Sequence, residues 1–313
     1  MKSIRAAGRS AVSFEPGDTA LGLAILGGLL LVIVASPLYL PPWASMLANC
    51  AAVFLGLKHL IWTGSHRSTE SATLADRMAF YVLWPGMDVD ALLGKSFARL
   101  AKPYAGEWLH AVVKISVAAV AIWIMLPWSD GFSPAVIGML GMLGAILLIH
   151  CGLFHCVALV WQSQGRNVRP IMNAPLLANS LADFWSRRWN LAFRDAAAQI
   201  VFRPAARRWG VTAATFATFL ASGLIHDAAI SLPARGGYGL PTLYFLLQFL
   251  GLMFERQVLW GHDHGTRVAT RFLAAIVIVV PLPLLFHPPF AENVIVPMLE
   301  ALHVFGVHGV RLP

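Results

Sequence analysis

Two short segments of the chain contain the side chains best suited to chemistry. Residues 179–190 read Asn-Ser-Leu-Ala-Asp-Phe-Trp-Ser-Arg-Arg-Trp-Asn, so aromatic, guanidinium and amide groups crowd together. His226 follows Asn190 by 36 positions and lies inside an apolar stretch. Burial keeps an imidazole neutral, and the neutral form is the one that a general base needs. His226 is therefore a candidate base, and a histidine that only bonds a neighbouring helix is the alternative.

The first segment predicts an amphipathic helix at the membrane surface. Ser180 followed three residues later by Asp183 is a capping pattern, and Asp183 is placed to pair with Arg187 at i,i+4. A helix beginning here would separate an apolar face from a polar one; the apolar set is Leu181, Phe184, Trp185, Ala192 and Ala196, and the polar set is Arg187, Asn190 and Arg194. The polar face can meet a charged ligand, while anchoring to anionic lipid is the alternative.

Two neighbours of the histidine extend the second segment. Ser222 lies one helical turn before His226 and on the same face. Gly223 leaves room for the close approach of another helix or of a substrate chain.

The two segments together resemble the membrane-bound O-acyltransferase superfamily, and within it the wax-synthase-like branch. The pattern of that branch, Ser-Leu-x-Asp-Phe-Trp-x-Arg-Arg-Trp-Asn, is met at every fixed position between Ser180 and Asn190. Trp84-Pro-Gly-Met87 and Leu285-Phe-His-Pro-Pro-Phe290 are also similar to it. The resemblance extends from about Phe80 to the C-terminus, and the chain departs from the pattern at Asp227, where the branch usually has Glu.

The resemblance implies transfer of an acyl group from acyl-CoA to a hydroxyl acceptor, either a fatty alcohol or another lipidic or small alcohol. It implies His226 as general base and Asn190 as its partner, which either stabilises the oxyanion or orients the histidine. Guanidinium groups suit the phosphates of CoA. The predicted substrate-binding residues are Asp183, Phe184, Trp185, Arg187, Arg188, Trp189, Arg194 and Ser222. Acyl-CoA is a co-substrate, and neither a cofactor nor a metal is expected.

These residues require a membrane scaffold. Only 12% of the 313 residues are charged and 58% are hydrophobic, which excludes a disordered chain and an ordinary cytosolic protein. The apolar runs do not alternate as barrel strands would, so they predict an all-α, polytopic bundle of about eight transmembrane helices plus interfacial helices. The predicted spans are 21–40, 44–62, 108–128, 132–161, 212–231, 240–260 and 269–286, with a weaker one at 294–310.

The chain is expected to form one domain, 1–313, with an N-terminal helical hairpin over 1–63 and a catalytic core over 64–313. Pro37, Pro41 and Pro42 mark the turn of the hairpin, whose first run we interpret as a retained anchor. Basic residues concentrate in alternate loops, so the positive-inside rule predicts a cytoplasmic N-terminus. The expected location is a bacterial inner membrane. The basic residues assigned to the inside are Lys2, Arg5, Arg9, Arg67, Arg77, Lys95, Arg99, Lys102, eight arginines within 166–208, Arg267, Arg271 and Arg311.

Other functions remain open on the residues alone. A transporter would use His226, Lys114 and Arg256 as a pathway, and a non-catalytic lipid-binding scaffold would leave the Asn190 and His226 pair unused. Otherwise Lys58, Lys114 and Arg256 are expected to snorkel, the last two with Glu107 and Glu255 as alternative partners.

The expected partners are acyl-CoA, a lipidic hydroxyl acceptor and membrane lipids. Nucleic acid is not expected despite the net charge of +8, and the oligomeric state is open. His262 and His264 are interpreted as a solvated turn. His150 and His155 are interpreted as histidines that hydrogen-bond across helices, with lining of a substrate chamber as an alternative, rather than as metal ligands.

Overall fold

The computed structural model describes residues 16–94, 102–128, 131–258, 264–302 and 304, and all regular secondary structure within them is helical. Six of the described helical stretches are long and apolar enough to cross a bilayer. An all-α, polytopic integral membrane protein is therefore confirmed. The long helices are α1 (Pro16–Tyr39), α2 (Pro42–Thr63), α3 (Ala105–Trp128), α4 (Pro134–Ser163), α5 (Leu191–Ala234), α6 (Leu240–Val258) and α7 (His264–Val279).

The predicted spans correspond to helices with two qualifications. Helix α6 is long enough to span but is not one of the six apolar stretches, because Gln248, Glu255 and Arg256 interrupt its apolar sequence. The weaker span at 294–310 begins instead in a run of three short helices, Pro288–Phe290, Ala291–Ile295 and Val296–Ala301. Residues 303 and 305–310 of that prediction, His262, and the basic residues at 2, 5, 9, 95, 99 and 311 lie outside the described residues.

The N-terminal hairpin turns at Pro41 and Pro42 as predicted, with α1 ending at Tyr39 and α2 starting at Pro42, whereas Pro37 lies inside the last turn of α1. A buried polar network joins its helices: the Ser36 hydroxyl donates to Asn49 Oδ1 at 2.7 Å and lies 2.8 Å from the Ser45 hydroxyl. Asn49 Nδ2 donates to the carbonyl of Ala228 in α5 at 2.9 Å. The hairpin is therefore fastened to the helix that carries His226.

The prediction that Lys58 snorkels is wrong. Its side chain has no solvent exposure, and Nζ donates to the carbonyls of Phe80 and Gly86 at 2.5 and 2.8 Å. The ammonium also lies 3.9 Å from the centre of the Phe80 ring. Carbonyl dipoles and an aromatic face replace water around the charge, so Lys58 holds the segment that contains Trp84-Pro-Gly-Met87 against α2.

Two other charged groups in the spans, Lys114 and Glu255, also have specific partners. Lys114 in α3 contacts His155 Nδ1 in α4 at 3.3 Å rather than Glu107, whose carboxylate accepts the Tyr104 N–H. Glu255 in α6 is buried, while Arg256 is exposed. The Glu255 carboxylate binds backbone N–H groups of the segment between α4 and α5.

Short helices connect α2 to α3 and α4 to α5. The first connection contains His66–Thr69, Leu74–Met78, Ala79–Leu83 and Val89–Leu92, and the second contains Pro175–Leu177, Leu181–Asp183 and Phe184–Arg188. Helix α5 is not straight, because Gly210 adopts φ 81° and ψ 172° inside it. This break separates a first part rich in arginine from an apolar part that contains His226, and only the second part corresponds to the predicted span 212–231.

Candidate functional site

Asp183 forms the centre of an ionic cluster that we call the arginine clamp, together with Arg187 and Arg188. The Asp183 side chain is 5% exposed, and its carboxylate accepts from Arg187 Nε at 2.8 Å and from Arg188 Nε at 2.6 Å. The Asn179 N–H donates to it at 3.1 Å, while Ser180 caps the helix by accepting the Asp183 N–H at 3.0 Å. Burial raises the pKa of Asp183, but hydrogen bonds from Arg188, the Asn179 backbone and Arg187 outweigh burial and hold the pKa below its usual value.

The predicted cap at Ser180 and the pair of Asp183 with Arg187 are thus confirmed. The structure gives Asp183 and Arg188 internal partners, since the Arg188 side chain is 19% exposed and also donates to the Ala174 carbonyl at 3.2 Å. The Arg187 side chain is 74% exposed and remains available to a ligand.

Glu255 holds the start of this segment against α6. Its two carboxylate oxygens accept the N–H groups of Leu181 and Ala182 at 2.6 and 3.1 Å. These are unpaired donors of the first turn of a helix, where a carboxylate is favourable. The sequence offered Glu255 only as a partner of Arg256, so its positioning role was missed.

The prediction of one continuous helix from Ser180 is wrong. The helix widens over Phe184–Arg188, Trp189 is extended, and Asn190 adopts a left-handed conformation with φ 37° and ψ 64°. Asparagine tolerates this conformation, and Asn190 Oδ1 accepts the Phe193 N–H at 3.1 Å, which starts α5. Four of the five residues of the apolar set remain buried across the break, and Trp185 is half-buried; the four are Leu181, Phe184, Ala192 and Ala196.

A polar cleft of about 440 Å³ lies beside the clamp. Three of its lining residues are arginines, Arg169, Arg187 and Arg194, and all three are exposed. Arg169 was missed, because it lies ten positions before the motif. The full lining is Gln162, Arg169, Pro170, Met172, Asn173, Ser186, Arg187, Leu191 and Arg194. Planar guanidinium groups at an open cleft are suited to binding phosphate.

His226 is held in one tautomer. Its Nδ1 lies 2.7 Å from the carbonyl oxygen of Ser222, and a carbonyl can only accept, so Nδ1 carries the proton. The neutral ring then has an unprotonated Nε2, and no hydrogen bond in the described part of the chain uses that atom. The Ser222 hydroxyl donates within its own helix to the Thr218 carbonyl at 2.8 Å, so Ser222 contacts His226 through its backbone.

Helix α6 approaches His226 closely because of Gly223. A Cβ atom at that position would lie 2.6 Å from Thr242 Cα, so only glycine permits this packing. Asp227 fixes the same approach, because its carboxylate accepts the N–H groups of Gly239 and Thr242 at 2.8 and 3.1 Å and also the hydroxyls of Ser231 and Thr242. With four donors around it, Asp227 positions α6 relative to α5.

A series of aromatic contacts joins the clamp to His226. The Phe245 ring lies 4.5 Å from the His226 ring and 5.7 Å from that of Trp185. Trp185 contacts Phe184 at 5.0 Å, and Phe184 stacks on Trp189 at 5.4 Å. Within the described residues, Trp185 Nε1 is buried and has no hydrogen-bond partner. An unpaired buried donor in a native fold marks a place where a polar group of a ligand can bind.

Phe193 contacts both Asn190 and His226. The backbone of Phe193 is capped by Asn190 Oδ1, and its ring centre lies 6.3 Å from that of His226. Because the cap fixes Oδ1, the amide of Asn190 presents its Nδ2 donors elsewhere, and no hydrogen bond among the described residues uses them. Phe193 and Phe245 were both missed, since nothing in the sequence distinguishes them from other core phenylalanines.

The three residues of the transport hypothesis contact different parts of the molecule. In the described part of the chain, His226 packs on α5 and α6, Lys114 contacts α4, and Arg256 is exposed.

Residues 168–247, which contain both Asn190 and His226, match the family described as "Membrane bound O-acyl transferase family". The chain is 34% identical over 129 residues to the probable long-chain-alcohol O-fatty-acyltransferase 1 of Arabidopsis thaliana, and the match covers 39% of this chain and 37% of the relative. It is 39% identical over 71 residues to the long-chain-alcohol O-fatty-acyltransferase of Simmondsia chinensis, covering 20% of each chain. It is 37% identical over 67 residues to acyl-CoA–sterol O-acyltransferase 1 of Arabidopsis thaliana, covering 19% of each.

These matches confirm the resemblance to the wax-synthase-like branch of the membrane-bound O-acyltransferases. The matched stretch spans less than two fifths of the first relatives' own length.

Proposed function

We propose that the protein is a membrane O-acyltransferase that moves an acyl group from acyl-CoA to the hydroxyl of a lipidic alcohol. The observation that carries this proposal is the tautomer of His226, because its Nδ1 donates to the Ser222 carbonyl and leaves Nε2 ready to accept a proton. A hydroxyl is a poor nucleophile at neutral pH, and a positioned base contributes about 10²–10⁴-fold to its reaction.

The reaction proceeds without an acyl-enzyme. His226 Nε2 takes the proton of the alcohol while the alcohol oxygen attacks the thioester carbonyl carbon. The tetrahedral intermediate then collapses, the carbon–sulfur bond breaks, and the imidazolium returns its proton to the leaving CoA thiolate. The products are an ester and free CoA, and the histidine is neutral again.

Two donors of the site suit the developing oxyanion. The indole N–H of Trp185 and the Nδ2 group of Asn190 lack protein partners in the described part of the chain, and both belong to the segment that faces His226 through Phe193 and Phe245. Donors that need no rearrangement stabilise a transition state more than they stabilise the ground state.

The cleft of Arg169, Arg187 and Arg194 supplies the site for the CoA phosphates. It lies at the start of α5, on the side of the membrane to which the distribution of Lys and Arg assigns the cytoplasm. The acyl chain would then extend from this cleft toward the aromatic series and the apolar helices, where the acceptor alcohol dissolves. An inner-membrane location with a cytoplasmic N-terminus is part of this proposal.

The test uses the purified full chain in lipid nanodiscs with radiolabelled palmitoyl-CoA and hexadecanol. We expect the labelled ester to form, and we expect His226→Ala to reduce its rate by about 10²–10⁴-fold with an unchanged melting temperature. His59→Gln serves as the matched control, since that histidine lies in α2 and contacts Tyr81. Ester formation by His226→Ala at the normal rate would contradict the mechanism. If sterols or short alcohols replace hexadecanol as the better acceptor, the acceptor class changes while the mechanism stands.

A further inference from the structure

A second polar cluster lies between α3 and α4, apart from the histidine site. Lys114 Nζ lies 3.3 Å from His155 Nδ1, and the His110 ring stands edge-on to the His155 ring at 6.2 Å. An ammonium has donors only, so Lys114 donates and His155 Nδ1 accepts. We call these three residues the α3–α4 basic cluster.

No carboxylate neutralises this cluster within the described part of the chain. The four ion pairs found there are formed by Asp76, Asp183 and Asp195, and none includes Lys114. Glu107 is the acidic residue of α3, and it is engaged by the Tyr104 N–H at 3.3 Å. His155 Nδ1 accepts from only one of the three N–H donors of the ammonium, so Lys114 retains donors for another oxygen.

The cluster lies near the end of the bilayer core marked by Tyr104 and Trp108, since tyrosine and tryptophan favour the interface. His110 is two residues beyond Trp108, about 3 Å along the helix. Lys114 is about 9 Å beyond Trp108, but a helical side chain leans toward the N-terminus and a lysine can extend to the interface. The cluster is therefore within reach of a lipid headgroup.

The cluster is open to the side of the bundle. His110 is exposed, and Lys114 and His155 are half-buried. The exposed side chains around them on α3 are apolar, Val113 at 47% and Val117 at 53%. A ligand that reaches the cluster from this direction must combine an oxyanion with hydrocarbon chains.

We propose that the α3–α4 basic cluster binds the phosphate of an anionic phospholipid whose acyl chains lie along Val113 and Val117. A cation facing hydrocarbon is costly unless it is paired, and a phosphate diester provides the missing acceptor oxygens for Lys114 and His110. Basic pockets between transmembrane helices bind anionic headgroups in this way. A phosphate fits the depth of the cluster, because Trp108 places it just below the headgroup region.

Native mass spectrometry of the full chain tests the site independently of any acyl transfer. The protein is released from micelles containing equal amounts of phosphatidylglycerol and phosphatidylcholine, and we expect one phosphatidylglycerol to be retained preferentially. Lys114→Met should lower the retained fraction at least 5-fold, and Lys114→Arg should restore it. Lys102→Gln is the matched control, because Lys102 is an exposed lysine that precedes the same helix.

Equal retention of both lipids by the unaltered protein would overturn the proposal, and so would undiminished retention of phosphatidylglycerol by Lys114→Met. Displacement of phosphatidylglycerol by an equimolar amount of oleate would also overturn it, because it would assign the site to a fatty-acid carboxylate. If Lys114→Met does not yield monodisperse protein, His110→Leu tests the same phosphate from an exposed position, with the same 5-fold criterion. Because the readout is a bound mass, failure of the proposed acyl transfer leaves this test unaffected.

Discussion

The arginine clamp and the histidine site lie at opposite ends of one aromatic series, and they differ in how completely their polar groups are hydrogen-bonded. In the clamp, Asp183 accepts from two arginines and a backbone N–H. At the histidine site, His226 uses only Nδ1, and the Trp185 indole N–H has no partner among the described residues. Saturated groups stabilise a fold, whereas unpaired groups in a buried position are available to a substrate.

The comparison predicts that the clamp controls stability and the histidine site controls turnover. The largest effect is expected for Asp183→Ala, which leaves Arg188 mostly buried without its carboxylate. We expect a loss of about 3 kcal/mol in the free energy of unfolding, measured as a lower melting temperature in nanodiscs. Asp88→Ala, which removes a simple helix cap, is the control and should cost about 1 kcal/mol. Equal losses for both variants would show that the clamp is an ordinary cap.

Removing the unpaired N–H of Trp185 should lower turnover and leave stability unchanged, the opposite of the effect expected for Asp183→Ala. Trp185→Phe keeps the ring contacts with Phe184 and Phe245 but deletes an N–H that bonds no protein group, so the melting temperature should stay the same. We expect kcat for ester formation to fall by roughly 10–100-fold if the donor acts on the oxyanion, in line with the loss of other such donors. Trp189→Phe is the matched control, because it makes the same change at another tryptophan of the aromatic series. A stable Trp185→Phe enzyme with normal kcat would remove Trp185 from the site.

A smaller effect is expected for Arg187, which belongs both to the arginine clamp and to the lining of the cleft. Arg187→Gln loses a largely exposed contact to Asp183 and one phosphate ligand, so the KM for acyl-CoA should rise about 10-fold at nearly constant kcat and stability. Arg207→Gln, an exposed arginine outside the cleft lining, is the control. A changed kcat with an unchanged KM would separate Arg187 from CoA binding.

The smallest effect concerns pH. The pKa of Asp183 is lower in the folded protein than its usual value, so its stabilising contribution is complete above the unfolded pKa of about 3.9 and is lost as the pH falls through the lower folded value. The melting temperature should therefore not change through Asp183 between pH 7 and pH 5, and should decline below pH 4. Asp183→Asn should be less stable at pH 7 and should show a shallower decline in acid. Parallel acid profiles for both proteins would contradict this role.

The sequence predicted the features that depend on neighbours along the chain. The cap at Ser180, the pair of Asp183 with Arg187 and the proline turn of the hairpin follow from residues at most five positions apart, and all are confirmed. The all-α membrane class follows from composition and is confirmed too. The roles of Asn190 and His226 in catalysis stay predictions.

The features that the sequence did not predict depend on contacts between distant segments. Lys58 was expected to snorkel because its partners, the carbonyls of Phe80 and Gly86, are backbone atoms that no sequence pattern reveals. Glu255 binds N–H groups more than 70 positions away. The helix break at Asn190 was missed because the apolar spacing remains helical across it, while the left-handed residue is set by its side-chain cap.

The hydrogen bond from Asn49 to Ala228 has a consequence for the order of assembly. Synthesis delivers α1 and α2 to the bilayer long before residue 228 leaves the ribosome. Asn49 Oδ1 can be paired at once by Ser36 within the hairpin, but Nδ2 must wait for the carbonyl of α5. Until then the Asn49 Nδ2 donor of the hairpin is unpaired in lipid. This favours association of the hairpin with α5 when that helix is inserted. The bond that pairs this donor lies two residues from His226.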